Sequence, residues 1–189
     1  MATDTAACVR ELTERVQSAL KLGEVSATAA RVKSDLEEMI GAGRLRLPDS
    51  FRRTRPDCYA RRLLHRDPTG FTAVVMTWGP EQRTPIHDHA GIWCVEGVVE
   101  GVMEVTRYEL VEASGEAFRF EERGSVEAGV GAAGCLIPPF EYHVLGNAQR
   151  DAPAITLHVY GAEMDHCHIF QPRGDGWYER QARTLSYHE

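Results

Sequence analysis

The stretch "TPIHDHAGIWCVEGVVEG", residues 84–101, decides how the rest of the chain is read. It is β-branched, broken by glycines, and carries His87 and His89 one residue apart. Successive side chains of an extended segment alternate between faces, so both imidazoles project to one side and Asp88 to the other. Two neutral imidazoles side by side suit a first-row divalent metal, and a third ligand must come from elsewhere. The best candidate is His143, which follows "GCLIPPFEY" at the start of another strand-like run. An HxH pair alone matches by chance often, so its weight depends on its surroundings.

Those surroundings read as β-structure. From Phe71 onward, "FTAVVMTW", "WCVEGVVE", "VMEVTRYEL", "AFRFEE", "GCLIP" and "AITLHVY" are short, β-branched or aromatic, and separated by Gly, Pro and Asn. Such repetition points to a sandwich or barrel. The first fifty residues read as helices instead. Val9, Leu12, Val16 and Leu20 recur at helical spacing up to Gly23, and Ala29, Val32, Leu36, Met39 and Ile40 repeat the pattern up to Gly41 and Gly43. Each helix has one apolar face and is expected to pack on something larger. With no linker or internal repeat, residues 1–50 are read as a helical extension of a β domain over 51–189, one structural domain together.

Composition removes several function classes. A net charge of −7 argues against broad contact with nucleic-acid backbones, which need clustered Lys and Arg. No apolar run or basic amphipathic helix suits a membrane. The polar N-terminus "MATDTAACVRELTERV" lacks the apolar core of a secretory signal. Five scattered cysteines without CxxC spacing fit reduced thiols in a cytoplasm better than a disulfide framework. A small molecule is the expected partner; oligomeric state has no signature here.

Spacing then narrows the reading. Beyond His89 four residues are skipped to Cys94 and six more to Gly101; around His143 the order is Pro138, four residues, His143, three residues, Asn147. This double pattern resembles the two motifs of the cupin superfamily, double-stranded β-helix barrels with a metal in the mouth. The resemblance implies a mainly β fold, a cupin barrel with an N-terminal pair of α-helices. Two departures stand out: Cys94 takes the place where many cupins put a ligating Glu, and Gly79 lies farther from His87 than usual. Three uncharged histidines would leave a divalent ion short of negative charge and open to an anionic, chelating substrate and O₂.

Over roughly residues 55–170 the chain also resembles the cysteine dioxygenase family of thiol dioxygenases, through "CYARRLLH", "HDHAGIWC" and "TLHVY". Its members use Fe(II) on three histidines to convert a thiol and O₂ into a sulfinic acid. Carried over by position, the resemblance makes His87, His89 and His143 the iron ligands. It makes Arg61, in Tyr59-Ala60-Arg61, the carboxylate clamp, helped by Tyr59. His158 and Tyr160 become the pair beside the iron, with Thr156 where the family usually has serine. Cys94 matches the cysteine that in some members forms a thioether with that tyrosine. The physical chemistry agrees: an arginine fork fits a carboxylate bidentately, and residues two apart on a strand share a face.

Alternatives stay open at this level. Cys94 is either half of a Cys94–Tyr160 cross-link or a small buried apolar residue. Arg62 is read as a surface residue, although it leaves the identity of the clamp ambiguous by one position. His166 and His168 in "DHCHIF" form a competing HxH after the last convincing strand, without a third ligand. His65 and His188 carry no motif. The expected activity is conversion of L-cysteine and O₂ to cysteine sulfinic acid. 3-Mercaptopropionate and mercaptosuccinate are alternative substrates, and a ligand-binding cupin module or a metal-dependent isomerase are rival classes.

Overall fold

The computed structural model describes residues 2–189. Two helices come first, α1 (Ala2–Leu20) and α2 (Val25–Gly41). Their apolar stripes are the expected ones: Leu12, Val16, Val32, Leu36 and Met39 are at most 1% exposed. Gly23 follows α1 with φ 79, a left-handed conformation that glycine adopts without a Cβ clash and that lets the chain turn back. Arg15 fastens the pair by reaching Asp35 and Glu38, each at 2.8 Å.

Eleven strands follow a short 3₁₀ turn at Asp49–Arg52: β1 (Ala60–Arg66), β2 (Thr72–Trp78), β3 (Ile86–His87), β4 (Cys94–Glu100), β5 (Met103–Ser114), β6 (Ala117–Ala128), β7 (Ala133–Leu136), β8 (His143–Asn147), β9 (Ala154–Tyr160), β10 (His166–Gly174) and β11 (Trp177–Thr184). Five form a sheet in the order β1-β2-β9-β4-β7, and the other six close on themselves as β10-β11-β6-β5-β8-β3. The chain is thus mainly β with an N-terminal helical pair, the cupin double-stranded β-helix expected from the motifs.

Period-two alternation sorts the central strands of the five-stranded sheet. Ala73 and Val75 of β2, Val95 of β4, and Ile155, Leu157 and Val159 of β9 face the helices in one apolar cluster. Val74, Met76, Trp78, Cys94, Val98 and Tyr160 face the opposite way into a second cluster. Both faces are covered, which explains why β2 and β9 are buried throughout. The helix side fits closely at one point: a Cβ on Gly97 would sit 2.8 Å from Ile40 Cδ1. Filling that layer is energetically large, since truncating a fully buried leucine such as Leu36 to alanine costs about 2–5 kcal/mol.

The sequence reading placed the first strand at Phe71 and the last near Tyr160, and both limits need correction. β1 precedes the first, built from the segment that carries Arg61 and Arg62. β10 and β11 follow the second, joined at Asp175 (φ 53) and Gly176 (φ 82) between the paired residues Gly174 and Trp177. That is a two-residue hairpin with both positions left-handed, the geometry an Asp-Gly pair favours. β11 was overlooked because it is mostly exposed and lacks apolar alternation.

Candidate metal centre

His87 ends β3 and His143 begins β8, and the two are direct partners in the β3–β8 pairing. His89 lies two residues beyond His87. The turn after it uses left-handed backbone at Ala90 (φ 52) and Gly91 (φ 76) to swing the chain into β4. One nitrogen from each ring lies within 4.8 Å of the others, and among the described residues no carboxylate or thiol joins this group. The Nε2 atoms of His87 and His143 are 3.2 Å apart.

The Nδ1 atoms are directed outward. His87 Nδ1 lies 3.1 Å from Pro85 O. His89 Nδ1 lies 3.2 Å from Glu141 Oε2, which also accepts the His89 backbone N–H at 2.8 Å. Acceptors at Nδ1 hold the proton there and leave Nε2 free as a ligand, the usual support for metal-binding histidine. Burial pushes the His87 imidazole down to about 3, and burial together with the neighbouring rings keeps His143 well below its ordinary value. Three converging imidazoles fit a divalent first-row metal that keeps other coordination positions open.

Tyr59, Arg61, Glu96, His158 and Tyr160 line the same small cavity as the three histidines, about 30 Å³ in volume. It meets an outer cleft of about 620 Å³ that shares Tyr59, Arg61, His87 and Cys167. Arg61 is 3% exposed. Its Nη2 donates to Met164 O at 2.9 Å and its Nη1 to Ser186 O at 3.4 Å, while Nε has no hydrogen-bond partner. The Tyr59 ring stacks on Trp78 with centroids 4.4 Å apart. Segment 185–189 walls this region. His188 donates its backbone N–H to Arg61 O at 2.7 Å and accepts the Arg61 N–H on Nδ1 at 3.0 Å, so the histidine without a motif anchors the tail.

The assignment of Arg62 to the surface is corrected. It is 4% exposed, pointing from β1 to the opposite side of Arg61, where it donates to Phe51 O, Arg53 O and Glu189 O. Alternation along the strand separates the two arginines, and Arg61 is the one on the cavity. The second HxH pair does not converge either. His166 is exposed beside Asp165, and His168 is held by Asp88 at 2.9 Å. Both belong to β10, whose alternation turns Cys167 inward.

Register in β4 and β9 arranges the remaining residues: Cys94 lies opposite Tyr160, Glu96 opposite His158, and Val98 opposite Thr156. Burial raises both the Cys94 thiol and the Tyr160 phenol well above their usual values, so both keep their protons. Thr156 stands behind His158: its hydroxyl accepts from Trp78 Nε1 at 2.9 Å and lies 2.7 Å from His158 Nε2. His158 thus meets Thr156 and Glu96, and among the described residues no hydrogen bond joins it to Tyr160.

Two carboxylates escaped the sequence reading. Glu141 lies two residues before His143, in a stretch with no strand signal. Glu96 was readable, because it is two positions past Cys94 on a strand and must share its face. It is 7% exposed, and burial pushes its carboxyl up to about 8.

The cupin barrel brings three histidines, a buried arginine and a tyrosine to one cavity, and the three rings offer a donor set that suits a divalent metal. The family model for cysteine dioxygenase type I matches residues 2–173. The chain belongs to that family. It is 24% identical over 138 residues to cysteine dioxygenase type 1 of Homo sapiens, covering 69% of this chain and 62% of the human protein, with the same figures for the Rattus norvegicus protein. It therefore spans about three fifths of the length of these curated relatives. A solved structure, an uncharacterized conserved protein with a double-stranded β-helix domain from Klebsiella pneumoniae, aligns with TM-score 0.47 and 17% identity over 61% of this chain and 84% of that one.

Proposed function

We propose that this chain is a thiol dioxygenase that adds both atoms of O₂ to the sulfur of a small thiol carboxylate, with L-cysteine as the substrate and cysteine sulfinic acid as the product. The observation that carries this reading is the pairing, on one cavity, of a three-histidine cluster with a buried arginine that has a free donor. Fe(II) held by His87, His89 and His143 would supply the redox chemistry that unites thiolate sulfur and dioxygen. Electrons balance without an external reductant, since the sulfur gives up all four that reduce O₂.

The chain's own residues bind and shield. Arg61 offers its unpartnered Nε–H to the substrate carboxylate, from a planar, permanently charged guanidinium that lysine does not provide. Tyr59, stacked on Trp78, fixes the outer side of that subsite. The Tyr160 hydroxyl keeps its proton and is a donor toward developing negative charge. Thr156 fixes the His158 ring from behind. Met76, Trp78, Leu145 and Met164 exclude water from the reacting sulfur. Cys94 would form the thioether to the Tyr160 phenol ring, a reading supported by their direct pairing across β4 and β9.

A second reading, a thiol dicarboxylate such as mercaptosuccinate, draws support from Arg183 and His188 on the outer cleft. Oxygen consumption by the iron-loaded protein with cysteine, 3-mercaptopropionate and mercaptosuccinate tests both. The highest kcat/KM is expected with cysteine. A preference for mercaptosuccinate selects the second reading, and no uptake with any thiol overturns the dioxygenase function.

A further inference from the structure

Three histidine ligands bring a metal no negative charge of their own, yet Glu96 lies one ring away. We propose that Glu96 is a positioning residue whose two oxygens receive the Nδ1–H groups of His143 and His158, orienting His143 toward the metal and tying it to the histidine beside Tyr160. The proposal rests on the reading of His87, His89 and His143 as metal ligands.

Four observations carry it. Glu96 Oε1 lies 3.6 Å from His143 Nδ1, and Glu96 Oε2 lies 3.5 Å from His158 Nδ1. Glu96 Oε2 and His143 Nδ1 are both buried without a hydrogen-bond partner, an arrangement native interiors avoid unless a function maintains it. The other two ligands already have Nδ1 acceptors, Pro85 O and Glu141, so His143 is the ring still lacking one and Glu96 is the acceptor facing it. The fourth is the tautomer of His158. The Trp78 indole can only donate, so Thr156 Oγ1 accepts from it and keeps its own proton for His158 Nε2, 2.7 Å away, the donor arrangement the proposal assigns. That leaves the His158 proton on Nδ1, pointing at Glu96.

Both contacts are slightly longer than a hydrogen bond. An ionised carboxyl in this position makes His143 a stronger donor and offsets part of the metal's charge, an attraction that opposes the burial pushing Glu96 up to about 8, yet it occupies none of the metal's coordination positions. Cys94 Sγ, 4.0 Å from His158 Nδ1, borders the same contact. Glu96 therefore links the metal's ligand set to the tyrosine side of the cavity across a single β4–β9 rung.

The test uses Co(II) as an air-stable probe. Its dissociation constant is measured by competition with a chromophoric chelator for the wild type, Glu96→Gln, Glu96→Leu and His143→Ala, alongside the thermal midpoints of the metal-free proteins. Loss of a supporting carboxylate of this type weakens binding roughly 10–100-fold. Glu96→Leu is expected in that range. The isosteric Glu96→Gln, which keeps one acceptor, is expected to fall between it and the wild type and to shift the Co(II) absorption bands at saturation. Neither substitution should lower the metal-free midpoint, because each removes an unpaired buried carboxyl. Co(II) affinity and spectrum unchanged in Glu96→Gln and Glu96→Leu, while His143→Ala abolishes binding, would overturn the role of Glu96 and leave the metal site standing. Weaker binding with an equally lowered metal-free midpoint would also overturn it, as a packing effect. Full Co(II) affinity in His143→Ala would instead remove the metal site on which the proposal rests.

Discussion

Replacing Arg61 with methionine separates substrate recognition from structure. Methionine keeps much of the aliphatic volume and removes the charge. In the metal-free protein two effects oppose each other. The variant loses the charged hydrogen bonds to Met164 O and Ser186 O, of which the shorter is worth about 1.5–3 kcal/mol. It also relieves the burial of a guanidinium that has no carboxylate partner among the described residues, a penalty of several kcal/mol per ion. The midpoint of unfolding should therefore change little. Substrate binding has no such compensation. Truncating one partner of a buried charge pair costs about 2–5 kcal/mol, roughly 30- to 4000-fold in kcat/KM at 1.4 kcal/mol per decade. The assay is oxygen uptake by iron-loaded wild type and Arg61→Met with L-cysteine and with cysteamine, which lacks the carboxylate. A large loss on cysteine with less than a threefold change on cysteamine is expected. Equal losses on both thiols would refute the clamp.

Three further outcomes are expected. His143→Ala should no longer hold stoichiometric iron by metal analysis, and full occupancy would argue that these rings do not form a site. Aerobic turnover with iron should lower the intact mass by the two hydrogens lost in a Cys94–Tyr160 thioether, about 2 Da; an unchanged mass rejects the link, and Cys94→Ser supplies the control. Asp67 joins the β1–β2 turn to α1. Burial alone would raise its carboxyl, but hydrogen bonds from Thr69, His65 and Gln17 outweigh burial and hold it at about 2 against an ordinary 3.8. That stabilisation is fully present above about pH 4 and disappears as the pH falls toward 2. Asp67→Asn should cost about 2 kcal/mol in urea denaturation at pH 7, with the gap closing at acid pH; a gap independent of pH would contradict this account.

The parts of the site legible in the sequence are those governed by alternation and motif spacing. His87 and His89 share a face because they are two apart, and the cupin-like spacing placed His143 near them. The pattern also paired Cys94 with Tyr160, which meet in register on β4 and β9. Glu96 obeys the same rule but stands at no motif position, so only the alternation of β4 marks it. Other features depend on tertiary geometry with no local signal. Arg62 is an ordinary exposed arginine by composition, yet backbone carbonyls from residues 51, 53 and 189 surround it. His188 acquires its role from a tail returning across more than a hundred residues to Arg61. β11 and the second half of β10 are mostly exposed, and the two strands owe their order to each other, to the Asp175-Gly176 turn and to their pairing with β3 and β6.

The fit of Ile40 over Gly97 makes residues on two distant parts of the chain exchange volume. A methyl group at position 97 forces Ile40 to give way, and a smaller side chain at position 40 makes room for one. Among homologues, bulk at these two positions should therefore vary in opposition. Because Gly97 immediately follows Glu96, a helix substitution more than fifty residues away can displace the cavity's inner wall without touching it.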